Sequence, residues 1–149
     1  MDRTNSMGLW TYAKEYLDAA KIVASSSDRE LAPTPAYYLV CHSIELILKA
    51  FLRGSGEELE DLKKIGHNLK RCLNKAEKKG ITEYFCFTGI QKQAVSLIND
   101  YYSQKEFEYI STGFKTFPKY DILEEISSGL LSSLKGYCRK NMNIHDETI

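Results

Sequence analysis

Apolar side chains recur at helical spacing along most of the chain, and this pattern predicts an all-α protein. The first stretch runs from Ser6 to Ser25 and places Trp10, Ala13, Leu17 and Ala20 on one face. Charged side chains occupy the remaining positions of the stretch. We therefore expect an amphipathic helix that packs one side against a core.

The second stretch, Pro35 to Leu52, is apolar around nearly its whole circumference. Pro33 and Pro35 suit the first turn of a helix, where a missing backbone N–H costs nothing, and Gly54 follows its end. A helix that is apolar on all sides is usually buried. The sequence thus predicts a central helix here.

Three later segments also have helical periodicity. They are His67 to Lys79, Thr88 to about Gln104, and Asp121 to about Met142. Glu57 to Lys64 is expected to form a helical turn or two, and Ser111 to Pro118 a loop. Ile81 to Phe87 is rich in β-branched and aromatic residues, but no partner strand is evident, so we expect a connector. The prediction is an up-and-down antiparallel bundle of about five helices.

The chain has 149 residues, no internal repeat and no long linker, which predicts one domain, 1–149. Twenty basic residues balance twenty acidic ones, so no global field favours nucleic acid or an anionic membrane. Uninterrupted apolar runs fall short of the roughly 18 residues of a spanning helix, and the N-terminus lacks the pattern of a signal peptide. We expect a cytoplasmic protein without membrane contact.

The four cysteines do not form a Cys-x-x-Cys pair. Cys41, Cys72, Cys86 and Cys138 are scattered, and at least two lie among apolar neighbours on predicted helices. Free, mostly buried thiols are favoured over disulfides or a zinc site. The three histidines and four cysteines show no ligand spacing, so we expect no metal and no cofactor.

A polar stripe crosses the apolar second helix. His42, Glu45, Lys49 and Arg53 follow one another at steps of three, four and four residues, which aligns them on one face. Glu45 and Lys49 have the favourable order for an i,i+4 ion pair that fixes the register of the bundle. The alternative is a ligand-binding groove for a nucleotide or an RNA phosphate.

Positive charge is concentrated between Lys63 and Lys79, where seven Lys or Arg face one acid. His67 and Arg71 lie four residues apart within this segment and are further candidates for ligand binding. The segment can collect phosphate contacts, but acidic residues between Glu57 and Asp61 precede it and weaken its field. A solvated helix face explains the same charges.

Arg139 and His145 enclose five residues near the end of the chain. A cation and a general base at this spacing can act together on a phosphodiester, with the 2′-hydroxyl of RNA as nucleophile. The pair is therefore a candidate catalytic pair. A histidine in a solvated tail is the other interpretation.

Aromatic side chains are plentiful, with ten tyrosines. The pairs Tyr37-Tyr38 and Tyr101-Tyr102, with Phe107 and Tyr109, can stack nucleic-acid bases or fill a core or a subunit interface. Packing is the ordinary role. Gly-rich phosphate loops and the motifs of zinc proteases and serine hydrolases are absent from the sequence.

The segment from Ala36 to Leu52, followed after a loop by Gly66-His67-Asn68-Leu69, resembles the HEPN domain superfamily. In that family a Tyr-rich helix start, an embedded Glu and a Lys-Ala precede a Gly-His or Thr-His pair and a Leu. The resemblance is specific from Ala36 to Leu69 and extends loosely to the flanking helices. It implies a helical bundle that commonly forms a homodimer and is associated with nucleotidyltransferases, toxin-antitoxin pairs and RNA cleavage.

Ribonuclease members of the family carry an Arg, four to six residues and a His at the start of a late helix, facing a dimer cleft. Arg139 and His145 match the spacing, but they lie at the end of the last predicted helix, and Lys140 follows the Arg. The sequence therefore favours a non-catalytic, homodimerising module that binds a nucleotide, RNA or a protein such as a cognate nucleotidyltransferase or antitoxin. The alternatives are a metal-independent, toxin-like endoribonuclease using this pair, and a pure assembly element.

Overall fold

The computed structural model describes residues 4–26, 32–104 and 117–143. These residues form six α-helices and one 3₁₀ turn, and they contain no β-strand. The helices are α1 (Ser6–Ser25), α2 (Thr34–Gly54), α3 (Leu59–Ile65), α4 (Leu69–Lys78), α5 (Gly89–Tyr102) and α6 (Tyr120–Lys140). The predicted all-α helical bundle is confirmed.

Helix α2 lies at the centre of the bundle, as its all-round apolar surface predicted. It contacts each of the other five α-helices, most extensively α1 and α6. Its largest side chains, including Ile44, Ile47, Leu48 and Phe51, are almost completely buried. By length and composition alone α2 could also cross a membrane, with a mean hydropathy of 1.2, but 67% of that apolar window is buried inside the bundle.

Local sequence explains most of the helix ends. Asn5 caps α1 by accepting a hydrogen bond from the backbone N–H of Gly8 (2.8 Å). Thr88 caps α5, and Gln91 bonds back to the N–H of Thr88, which forms a capping box. Gly80 follows α4 at φ 93°, a left-handed conformation that glycine adopts without strain.

Helix α3 confirms the short helical segment expected between Glu57 and Lys64: it spans Leu59–Ile65, about two turns, and is a sixth helix beside the five predicted. One predicted boundary was wrong. The next helix was predicted to begin at His67, but α4 begins at Leu69, because the side chain of Asn68 caps it by accepting from the N–H of Arg71. His67 therefore lies in the α3–α4 loop.

The connector at Ile81 to Phe87 is confirmed and contains a 3₁₀ turn at Ile81–Glu83. Most of the loop predicted at 111–118 lies outside the described residues. The four cysteines are free thiols, of which only Cys86 is exposed.

Small polar side chains allow α1, α2 and α6 to pack closely. The hydroxyl of Ser43 on α2 donates to the carbonyl oxygen of Ala13 (2.7 Å) and lies 2.7 Å from the hydroxyl of Ser127 on α6. The indole N–H of Trp10 on α1 donates to the carbonyl oxygen of Leu131 (2.8 Å). These bonds satisfy buried polar groups and fix the three helices relative to one another.

Candidate functional site

The carboxylate of Glu45 is the centre of a polar cluster on the side of α2 that faces α4 and α5. Glu45 is only 3% exposed. Oε2 accepts from Nζ of Lys49 (2.9 Å), and Oε1 accepts from the hydroxyl of Tyr102 (2.6 Å). Nδ1 of His67 lies 2.8 Å from the same Oε1. We call Glu45 and these three partners, with His42, the Glu45 cluster.

Lys49 ties the α3–α4 loop to α2. Its ammonium group donates to Glu45 and also to the carbonyl oxygen of Gly66, at 2.9 Å. Gly66 has φ 63°, so its backbone adopts a turn that suits glycine. Because Lys49 holds the carbonyl of Gly66, the next residue, His67, is placed beside the carboxylate.

The surroundings of Glu45 favour its ionised form. Burial alone would raise the pKa of this carboxyl, but the charge of Lys49 and the hydrogen bonds from Tyr102, His67 and Lys49 outweigh it and hold the pKa below its usual 4.5. Burial and the neighbouring carboxylate both raise the pKa of Tyr102 far above its usual range. Tyr102 is therefore a neutral hydrogen-bond donor.

His42 extends the cluster toward the surface. Its Nδ1 lies 2.9 Å from the hydroxyl oxygen of Tyr102 and 3.9 Å from Oε1 of Glu45. Because the hydroxyl hydrogen of Tyr102 is directed to Glu45, His42 donates to the hydroxyl oxygen. The side chains of His42 and His67 are 18% and 42% exposed, so the two imidazoles form the solvent side of the cluster.

One ligand atom from each of His42, Glu45 and His67 lies within 4.8 Å of the other two. Spacing along the chain did not indicate this group, because His67 is 22 residues from Glu45 and reaches it only through the α3–α4 loop. Two imidazoles and a carboxylate are the donor types that bind transition-metal ions. The expectation that the chain binds no metal stays a prediction.

A second layer of hydrogen bonds supports the cluster from α5. Asn99 is 7% exposed, and its Oδ1 accepts from the backbone N–H of Leu69 (2.8 Å). Its Nδ2 donates to Oδ1 of Asn68 (3.2 Å). Asn99 and Tyr102 were not predicted as site residues. The sequence feature that could have identified them is a pair of polar groups three residues apart on the apolar face of a helix.

The polar stripe predicted on α2 divides into two parts. His42, Glu45 and Lys49 belong to the cluster, whereas Arg53 is one further turn along and binds elsewhere. Its Nε donates to the carbonyl oxygen of Thr4 (3.2 Å) and its Nη1 to that of Glu57 (3.0 Å). Arg53 thus fastens the N-terminal segment to the end of α2.

Arg71 is exposed on α4, and its backbone N–H takes part in the cap of that helix. Two lysines of the basic segment around Arg71 form ion pairs with an acidic residue. Lys75 and Lys79 both approach Glu57, at 3.1 and 3.4 Å. Although desolvation opposes it, hydrogen bonds and charge from these lysines lower the pKa of Glu57. Lys63, Lys70 and Lys78 are exposed as well.

Arg139 is exposed in the last turn of α6. His145, its predicted catalytic partner, lies outside the described residues. Two aromatic rings lie beside His42 of the Glu45 cluster: the ring of Tyr16 meets that of His42 edge-on at 4.4 Å, and the ring of Tyr38 lies 6.0 Å from it.

Comparison with protein-family models, with curated proteins and with solved structures gives no match to this chain.

Proposed function

We propose that the chain is a HEPN-like, non-catalytic module that forms a homodimer and binds a nucleotide, free or within RNA, at the exposed edge of the Glu45 cluster. One observation carries the proposal. The buried carboxylate of Glu45 fixes the half-exposed imidazole of His67. This imidazole lies beside the ring of Tyr102, and the basic first turn of α4 follows it in the chain.

An ordered imidazole at a surface is a stacking partner for a base. Because Glu45 orients the ring of His67, the ring loses little freedom when a base packs against it. Tyr38 is partly exposed nearby and offers a second aromatic face. Lys70 and Arg71 follow at the first turn of α4, where their charges can attract a phosphate group.

The same chemistry argues against proton transfer by Glu45 and Tyr102. A general base requires a pKa near the working pH and a lone pair that is available to the substrate. Both oxygens of Glu45 already accept hydrogen bonds, and its pKa is lowered. Tyr102 has a raised pKa and directs its hydrogen to Glu45. Neither Glu45 nor Tyr102 therefore meets the requirements of a general base.

The homodimer follows from the family resemblance, and the surface of α1 supports it. Tyr12 and Ile22 of this helix are 54% and 68% exposed, so a partner subunit could bury apolar surface there.

Binding is measured by fluorescence polarisation of a short labelled single-stranded RNA in EDTA at low salt, with unlabelled mononucleotides as competitors. We expect His67→Ala to weaken binding about tenfold or more, since stacking of one base is worth roughly 1–3 kcal/mol. Arg71→Ala should reduce the salt dependence of binding. Lys92→Ala is the matched control, because it removes an exposed cation of α5 that pairs with Glu77 instead (2.8 Å).

Several results would overturn the proposal. They are absence of binding by the parent protein, equal affinity of the parent and a folded His67→Ala variant, and cleavage of the RNA in EDTA that disappears in His145→Ala. The last result would establish the ribonuclease alternative. Light scattering after size exclusion tests the dimer, and a monomeric mass at every concentration would exclude it.

A further inference from the structure

We infer that His42, Glu45 and His67 form a binding site for a transition-metal dication such as Zn²⁺, with the carboxylate oxygen Oε1 and the two Nδ1 atoms as ligands. The site goes beyond the proposed nucleotide binding and does not depend on it. The inference rests on the distances between the ligand atoms, on their chemical types and on the way that neighbouring residues orient them.

The distances fit a single ion. Ligands about 2.0–2.1 Å from Zn²⁺ in a tetrahedral site are about 3.4 Å apart. Nδ1 of His67 and Nδ1 of His42 lie 2.8 and 3.9 Å from Oε1 of Glu45, which brackets that spacing. One ligand atom from each of the three residues lies within 4.8 Å of the other two. Shifts of about half an ångström would bring both pairs to the required separation.

The ligand types select the class of ion. Neutral imidazole favours zinc, copper, iron and nickel, whereas calcium and magnesium require several oxygen ligands. Glu45 is the only carboxylate in the group and supplies one oxygen toward the imidazoles. Two nitrogens and one oxygen on one side of an ion leave at least one position for water or another ligand.

Neighbouring residues already orient the carboxylate. Lys49 holds Oε2, so Oε1 faces the two histidines, and the hydroxyl of Tyr102 donates to Oε1 at 2.6 Å. Bonds of this type orient metal ligands from outside the coordination shell. The ammonium group of Lys49 repels the ion. It also neutralises the charge of Glu45, so the carboxylate does not reduce the net charge of a bound dication. Access to water at His67 offsets this cost, because solvent and anions can approach the ion.

Binding of the ion requires the hydrogen to leave Nδ1 of both histidines. Without the ion, each Nδ1 donates a hydrogen bond, to Tyr102 from His42 and to Glu45 from His67. With the ion, each neutral imidazole presents the lone pair of Nδ1, and its hydrogen moves to Nε2. His67 adjusts most easily because it is half-exposed and lies in the loop after Gly66.

The test is a titration of the metal-free, full-length protein with Zn²⁺ in competition with a chromogenic chelator, repeated with Co²⁺ to record the visible absorption of a tetrahedral site. All proteins carry Cys86→Ser, which removes the exposed thiol as a zinc ligand. We expect one ion per chain. His42→Ala and His67→Ala should each lower the affinity about 100-fold or more, since even loss of an outer-shell partner costs about 10- to 100-fold.

Circular dichroism shows whether each variant is folded, and His67→Ala keeps the test decisive if Glu45→Gln does not fold, because His67 is half-exposed. Zn²⁺ should raise the melting temperature of the parent and not that of His67→Ala. Unchanged affinity in both histidine variants would overturn the inference. So would loss of binding in His145→Ala together with retention in His67→Ala, since the ion would then bind elsewhere.

Discussion

Two ion pairs of this chain have almost the same separation but opposite environments. Lys14 and Asp18 on α1 are 2.8 Å apart, and their side chains are 53% and 52% exposed. Glu45 and Lys49 on α2 are 2.9 Å apart, and their side chains are 3% and 11% exposed. Both pairs are spaced i,i+4. Burial is therefore the main difference between them, and it decides how much each contributes to stability.

Lys49→Met should lower the free energy of unfolding by about 3 kcal/mol, because it leaves the buried carboxylate of Glu45 without its cation. Lys14→Met, which breaks the exposed pair, should change stability by about 0.5 kcal/mol or less. Urea denaturation of the two variants and the parent measures both values. Equal effects would show that the Glu45–Lys49 pair is as weak as a surface pair.

The pH dependence of the same experiment identifies the cause. The pKa of Glu45 is lowered in the folded protein, so its contribution is present above the unfolded value and is lost as pH falls through the folded one. Once protonated, Glu45 carries no charge and no longer requires the ammonium group of Lys49 as a partner. The stability difference between the parent and Lys49→Met should thus be greatest near neutral pH and shrink in acid. A constant difference would point to lost packing of the lysine stem instead.

At the scale of the helix, two glycines in α6 allow the effect of close packing on stability to be distinguished from the effect of helix propensity. A Cβ atom added at Gly129 would lie 2.5 Å from Cε2 of Phe85, in the connector before α5. One added at Gly136 would meet no described atom within 4 Å. Both positions are helical, so both would gain the same propensity from alanine.

Gly136→Ala should therefore stabilise the protein by about 0.5–1 kcal/mol. Gly129→Ala should be less stable than Gly136→Ala by about 1–3 kcal/mol, because Phe85 must shift to accommodate the methyl group. Thermal unfolding of the two variants gives the difference directly. If Gly129→Ala is equally stabilised, the ring of Phe85 moves without cost and does not fix α6.

The helix boundaries show which local features the sequence encodes. Thr88 was recognisable as the start of a helix because its role depends on near neighbours in the chain. The start of α4 was misplaced by two residues, because the side chain of Asn68 accepts from the N–H of Arg71 and makes Leu69 the first helical residue. The same side chain also accepts from Asn99 of α5, and this second contact is not visible in local sequence.

At the scale of the whole molecule, one core connects all six helices, and Trp10 reports on it. The indole is 7% exposed and donates to the carbonyl oxygen of Leu131, so its fluorescence depends on the contact between α1 and α6. The prediction of a single domain requires that this contact and the helices disappear together.

Fluorescence of Trp10 and far-ultraviolet circular dichroism should therefore give coincident unfolding curves in urea. Trp10→Phe is the control for the fluorescence signal, because this tryptophan is the only one in the chain. An earlier loss of fluorescence than of helix would show that α1 or α6 separates from the rest before the bundle unfolds. The chain would then contain more than one cooperative unit.

The sequence by itself determined the helical class, the central place of α2 and the pairing of Glu45 with Lys49. These features depend on periodicity and on neighbours three or four residues apart, which any α-helix brings together. It also indicated His42, His67, Arg53 and Arg71 as polar candidates, but it could not separate them into groups. Local spacing carries no information about which side chains from different helices meet.

Only the tertiary structure decided that His67 reaches the carboxylate of Glu45, that Tyr102 and Asn99 join the cluster from α5, and that Arg53 binds elsewhere. Loop geometry and helix packing place residues that are 22 and 57 positions apart within hydrogen-bond distance. A buried carboxylate must find partners wherever the fold supplies them, because leaving it unpaired costs several kcal/mol. The sequence thus indicates that Glu45 needs partners, and the packing of the helices determines which residues they are.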